Sequence, residues 1–144
     1  MKKLIVALTL LLTLAACAGS GTRTVAGVDT VLANTDGNSV VIVRKTGYAG
    51  VVPRISIFLD GEKVATLAND EVISLQVPPG ERVLEAQFEG PSIIGVKRGE
   101  ARFTNDGTAP QYFALTLDTT LFSATLQLRK VAAGYFASTA REGI

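Results

Sequence analysis

The chain has no histidine, no tryptophan and a single cysteine in 144 residues. Without histidine there is no imidazole general base, no Ser-His-Asp triad and no His-containing zinc site. A lone cysteine excludes an internal disulfide. An excess of one charge sign is missing too, with 14 basic residues against 13 acidic ones. Nucleic acid as a partner calls for a basic patch, and this balance offers none. Long apolar runs are also lacking. The most apolar stretch, Leu4 to Leu14, reads LIVALTLLLTL and is 11 residues long. A bilayer-spanning helix needs about 20.

What the N-terminus does have is ordered. Lys2 and Lys3 give a positive start, the apolar stretch follows, and Leu14-Ala15-Ala16-Cys17 comes next. A short apolar core between a basic start and small residues is the pattern of a secretory signal. The Leu three positions before the cysteine makes the segment resemble the lipobox of bacterial lipoproteins. That resemblance implies a thioether-linked diacylglycerol on Cys17, cleavage between Ala16 and Cys17, and a fatty acid such as palmitate on the new amine. A thiolate is a natural nucleophile for a transferred lipid. Two acyl chains already anchor a protein stably, and a third makes release negligible. Ala18, by resemblance to the Gram-negative sorting pattern, points to the outer membrane facing the periplasm.

Removal of residues 1–16 leaves 128 of the 144 residues, one domain's worth. Lys2 and Lys3 leave with the signal, so twelve basic residues then face thirteen acidic ones. The expected organisation is a signal peptide over 1–16, a lipidated cysteine and flexible tether over 17–24, and one domain over 25–144. The AGSGTRT of residues 18–24 is small and polar enough for a tether.

The domain reads as all-β. Val, Ile and Thr recur at period two, and turn residues come about every ten positions. Ser39 to Lys45 is a buried-type strand. In Arg54 to Leu59, Ile55, Ile57 and Leu59 share a face. Asp60-Gly61 then marks a tight hairpin whose type I′ turn needs positive φ, and Glu62 to Leu67 returns. Glu71 to Val77 places Ile73, Leu75 and Val77 inward, Pro78-Pro79-Gly80 turns, and Arg82 to Glu89 places Leu84, Ala86 and Phe88 inward. These two strands read as a second hairpin. Ile93 to Thr104, with Gly95 and Gly99 as bulge or bend positions, is the expected partner of the latter strand. Gln111 to Asp118 and Leu121 to Val131 complete the set, and the Ala-rich Val131 to Arg141 suits a helix broken in propensity by Gly134. The expected fold is a small antiparallel β-sandwich of about seven or eight strands, with a closed barrel as the alternative.

The order strand, Asp-Gly, strand, polar turn, strand, Pro-Pro-Gly, strand from Ile55 to Phe88 resembles short bacterial lipoproteins with a domain of unknown function. It also resembles the hairpins of PEGA-type surface domains. The resemblance covers about a quarter of the chain. It implies a β-sandwich and an envelope location, and it carries over no catalytic residues.

Candidate chemistry is sparse. Glu81, Glu85 and Glu89 could supply a glycosidase-like carboxylate pair, but Glu85 and Glu89 alternate with inward apolar residues, as a solvated strand face does. Asp60, Asp70 and Asp106 sit in turns, where Asp caps its own backbone, with weak calcium binding as the other use. Ser56, Ser74, Ser92 and Ser123 have no His-type base, and no motif supports a dyad of serine with Lys63 or Lys97. Lys97, Arg98 and Arg102 protect a strand edge or touch lipid phosphates. The segment Thr46 to Pro53 is the most loop-like, and Gly47, Tyr48 and Gly50 are its candidate binding residues. Tyr135-Phe136 packs on the domain end or offers an aromatic contact. No cofactor or metal is implied. The expectation is a non-catalytic module held to the membrane through Cys17, with an envelope protein, glycan or lipid as partner. The alternatives are a periplasmic inhibitor or accessory subunit, and a carboxylate-based hydrolase.

Overall fold

A computed structural model describes residues 20–46, 53–90, 96–121 and 123–142. The chain forms a mostly β, sandwich-like domain. Helix α1 (Val25–Ala33) comes first, then β1 (Ser39–Lys45), β2 (Ile55–Leu59), β3 (Glu62–Leu67), β4 (Val72–Gln76) and β5 (Gly80–Phe88). They are followed by β6 (Val96–Lys97), β7 (Gly99–Asn105), β8 (Gln111–Thr119), β9 (Ala124–Val131) and α2 (Ala133–Arg141). One sheet has the order β4-β1-β8-β9-β6 and the other β3-β2-β5-β7.

The period-two faces meet between the sheets. Ile55, Ile57, Leu84, Ala86, Phe113, Leu115, Leu126 and Leu128 form one core there with Val40 and Ile42. Phe103 and Phe113 lie across it with ring centroids 5.2 Å apart. Strand β1 is buried on both sides, because Val41 and Val43 point the other way into a second cluster with Val28, Val72, Ala114, Phe136 and Ala140. That cluster exists because α1 and α2 cover the outer face of the first sheet. The continuous apolar run of β1 is the mark of a strand with two packed faces.

The Asp60-Gly61 hairpin forms as expected, with φ of 51° and 85° at the two turn residues. Leu59 and Glu62 pair beside it, and a bulge between Ile57 and Phe58 leaves Val64 as the extra residue. The Pro78-Pro79-Gly80 segment corrects the second expected hairpin. Strand β4 pairs with β1, whereas β5 pairs with β2 and β7. The prolines offer no N–H to a ladder, so the chain leaves the first sheet and enters the second there. The expected strand over Ile93 to Thr104 is likewise divided. Strand β6 pairs in parallel with β9, and β7 pairs with β5. Gly99, the first residue of β7, lies where a Cβ would meet the Leu126 carbonyl oxygen at 2.7 Å. It serves a close approach of the two sheets rather than a bulge. The division raises the strand count among the described residues to nine. Two pairings are parallel, β1 with β8 and β6 with β9, so the sandwich is mixed rather than purely antiparallel.

The last residues assigned to the tether are part of the fold. Ser20 N donates to Thr66 O at 2.7 Å, and Thr66 N donates to Ser20 Oγ at 3.1 Å. Thr22 and Val72 exchange backbone bonds of 2.9 and 2.8 Å. This strap ties the edge strand of one sheet, β3, to the edge strand of the other, β4. Thr24 then caps α1 by accepting from Gly27 N at 3.0 Å. Edge strands with unpaired backbone groups attract partners, and the strap covers two of them.

The strands share two ends. At the upper end β1, β5 and β8 begin, and β2, β7 and β9 finish. At the lower end β1, β3, β5 and β8 finish, and β2, β4 and β9 begin.

Candidate functional site

Cys17, Ala16, Gly47, Tyr48 and Gly50 lie outside the described residues. What can be described is a buried polar cluster at the end of β1. Alternation along β1 turns Arg44 to the same side as Val40 and Ile42, so its guanidinium enters between the sheets. Its side chain is fully buried. Nη1 donates to Leu67 O at 2.6 Å and Nε to Thr46 Oγ1 at 3.1 Å. Thr46 donates through both N and Oγ1 to Asn69 Oδ1, each at 3.0 Å. Nη2 has no hydrogen-bond partner among the described residues.

Glu71 is buried close by. Its Oε2 accepts from Ala68 N at 2.8 Å, and Arg23 Nε lies 3.7 Å from Oε1. Burial pulls the Arg44 guanidinium down to about 10, while the charges of Glu71 and Asp70 act to raise it. It stays a cation at neutral pH. Lys45, on the opposite side of β1, reaches Asp70 Oδ1 at 3.0 Å and donates to the Glu142 carbonyl. The cluster thus ties β1 to the end of β3, to the 68–71 turn and to the end of α2.

A second polar centre sits on the outer face of the other sheet. Glu89 Oε1 accepts from Lys63 Nζ at 2.6 Å, Ser56 Oγ at 2.8 Å and Thr66 Oγ1 at 3.0 Å. These bonds, that of Lys63 first, hold the Glu89 carboxyl at about 2 against an ordinary 4.5. The candidates Ser56 and Lys63 are therefore brought together, but on a shared carboxylate rather than on each other. A general acid needs its pKa near working pH, and Glu89 is displaced the opposite way. Glu85 is paired with Arg98 at 3.3 Å. Four residues along one strand separate the backbones of Glu85 and Glu89 by about 13 Å. A glycosidase pair is about 5–10 Å apart. The two carboxylates are held by different partners and do not converge.

The Glu89 shift makes a pH prediction. A carboxyl depressed in the folded state stabilises it above the unfolded pKa, and that gain is lost as pH falls toward the folded value. The side chain is 31 % exposed, and with allowance for solvent the contribution is about 1–2 kcal/mol. Glu89→Gln is expected to lose that amount at pH 7 in urea unfolding. The difference from the parent should shrink between about pH 4.5 and pH 2. A gap that stays constant down to pH 2 contradicts the assignment.

Of the turn aspartates, Asp106 caps its own backbone as expected, whereas Asp60 bonds across to β5 and Asp70 pairs with Lys45. Asp60 Oδ1 accepts from Val83 N at 2.9 Å and its Oδ2 from Arg82 Nη1 at 2.9 Å. Asp106 Oδ1 accepts from Thr108 N and Oγ1 at 2.9 and 2.7 Å. Both carboxyls lie below their ordinary value, Asp60 chiefly through the Val83 bond and Asp106 chiefly through the Thr108 hydroxyl. No group of three metal-ligating side chains occurs among the described residues.

Two open grooves mark the surface. One, of about 420 Å³, runs beside Glu81, Arg82, Arg102 and Phe103. The other, of about 360 Å³, lies along α2 beside Thr116, Arg129, Lys130 and Tyr135. Tyr135 is 59 % exposed, whereas Phe136 is fully buried against Tyr112. The expected aromatic pair thus splits into one surface ring and one core ring. Arg44 and Glu71 are the polar residues that sequence reasoning passed over. The available signal was the parity of Arg44 with Val40 and Ile42.

No family model matches this chain, and no curated protein matches it. Among solved structures it is similar to an NMR structure of a protein from Eubacterium rectale. The identity is 11%, the match covers 67% of this chain and 91% of that one, and the TM-score is 0.40.

Proposed function

We propose that this protein is a lipid-anchored, non-catalytic module of the bacterial envelope. The sequence Leu14-Ala15-Ala16-Cys17, placed after a basic start and a short apolar run, carries the reading. The chemistry of the described residues agrees with it. Of the acidic side chains nominated for catalysis, Glu85 is held in an ion pair with Arg98 and Glu89 in its hub with Lys63, Ser56 and Thr66. Ala18, by resemblance to the Gram-negative sorting pattern, supports an anchor in the outer membrane, facing the periplasm. The partner is an envelope protein, glycan or lipid, and the 46–53 connection with Gly47, Tyr48 and Gly50 is the first contact to test.

Cys17→Ser is expected to abolish incorporation of labelled palmitate and to release the protein from the membrane fraction. Labelling that persists in the variant overturns the anchor.

A further inference from the structure

The described connections at the lower end of the sandwich differ from those at the upper end. The upper connections are polar or proline-rich. They include Asn34-Thr35-Asp36-Gly37-Asn38, Asp60-Gly61, Val77-Pro78-Pro79 and Asp106-Gly107-Thr108-Ala109-Pro110. At the lower end, the 68–71 turn is polar, but its groups bond inward. Asn69 accepts from Thr46, Asp70 pairs with Lys45, and Glu71 accepts from Ala68 N. The β8–β9 hairpin also turns at this end and presents Leu121 at 93 % exposure. Thr120 and Ser123 bond to one another across its base at 2.8–3.2 Å, which leaves the apolar residue at the tip.

The N-terminal strap decides what this end faces. Ser20 is bonded to Thr66, one residue before β3 finishes at the lower end. Cys17 is three residues upstream. Three extended residues span about 11 Å at most, so a lipid on Cys17 enters the bilayer close to this end. By contrast, the upper end lies a full strand away. The eight steps of β8 span about 26 Å.

We infer that the lower end of the sandwich rests on the bilayer, with the Leu121 hairpin tip seated in the interface. The inference rests on the anchoring proposed above and adds the orientation and the contacting residue. The bilayer is the occupant because the chain that would carry the lipid emerges beside this end. An isolated exposed leucine is ordinary on a protein surface. A leucine at the tip of a hairpin on the anchored end becomes an interfacial contact, of the kind that sits about 5–10 Å into the headgroup–acyl boundary.

The test uses the full mature protein, made with its own signal and reconstituted into vesicles of phosphatidylethanolamine and phosphatidylglycerol. Cys17 carries lipid, so Leu121→Cys offers one free thiol for an environment-sensitive fluorophore. Ala109→Cys does the same at the upper end. Both positions are exposed, and neither substitution removes a core residue. Vesicle flotation reads the anchor, and quenching by nitroxide-labelled lipids reads the orientation. The expected result is co-flotation of both variants, with blue-shifted emission and quenching several-fold stronger at 121 than at 109. Co-flotation with equal quenching at both positions overturns the orientation and leaves the anchor standing. Protein that stays at the bottom of the gradient overturns the anchor and this inference with it.

Discussion

Arg44→Ala is expected to destabilise the domain by about 3–5 kcal/mol, the usual cost of removing one partner from a buried charged network. The guanidinium is fully buried and holds the Leu67 carbonyl and the Thr46 hydroxyl. Its loss takes a donor from that carbonyl, opens a cavity between the sheets and removes the cation facing Glu71 and Asp70. A lost hydrogen bond from a charged group costs about 1.5–3 kcal/mol, and the cavity adds to it. Arg44→Met keeps most of the volume and should recover part of the loss, because well-packed apolar atoms tolerate the site better than a void. Urea unfolding of the two variants beside the parent measures both. A loss below about 1 kcal/mol for Arg44→Ala would assign the buried arginine no structural weight.

Phe136→Ala is expected to be equally severe, at about 3–5 kcal/mol. Phe136 is fully buried, with its ring 5.1 Å from that of Tyr112, and it shares a cluster with Val28, Val41, Val43 and Ala140. The ring joins α2, α1 and the first sheet. The sequences of the two helices are weak formers, with Gly27 and Gly134 inside them. They depend on packing rather than propensity. The variant should therefore lose amide-exchange protection in both helices together and along β1, beside a lowered urea midpoint. Faster exchange confined to α2, with the midpoint unmoved, would show that the helices are an appendage and not a third layer.

Sequence patterns reported faces better than neighbours. The Asp60-Gly61 turn is legible because its two positive φ values demand such residues, and it fixes the pairing beside it. Alternation correctly turns Ile55, Ile57, Leu84, Ala86, Phe113 and Leu115 inward. Pro78-Pro79-Gly80 misleads, because a turn motif reports a change of direction and not whether the chain remains in its sheet. The parallel partnership of β1 and β8 has no local signal, since its strands are far apart in sequence. Helix α2 begins and ends close to the expected segment, and it forms despite Gly134, where a Cβ would meet nothing, because Phe136 and Ala140 pack it onto the sheet. Helix α1 escaped notice, although Thr24 stands at its cap and Val28 and Leu32 share a buried side. Its Val and Thr content reads as strand, and the tether beside it reads as solvent-exposed. Of the candidate site, the sequence offers Glu89 within a carboxylate pair and Ser56 with Lys63 as a dyad that no motif supports. Their convergence depends on the pairing of β2 with both β3 and β5, which no single segment encodes.

The strap at Ser20 to Thr22 gives the N-terminal end of the fold a mechanical character. Tension applied through the N-terminus reaches four hydrogen bonds first, two to Thr66 and two to Val72. Those bonds are divided between two sheets, so the load is shared before it reaches α1. Gly21 seats the strap tightly, since a Cβ there would lie 2.7 Å from the Val72 carbonyl oxygen. A pull from upstream would thus peel this latch before it disturbed the core. The same peeling would bare the edges of β3 and β4, turning tension on the N-terminus into an exposed pairing surface.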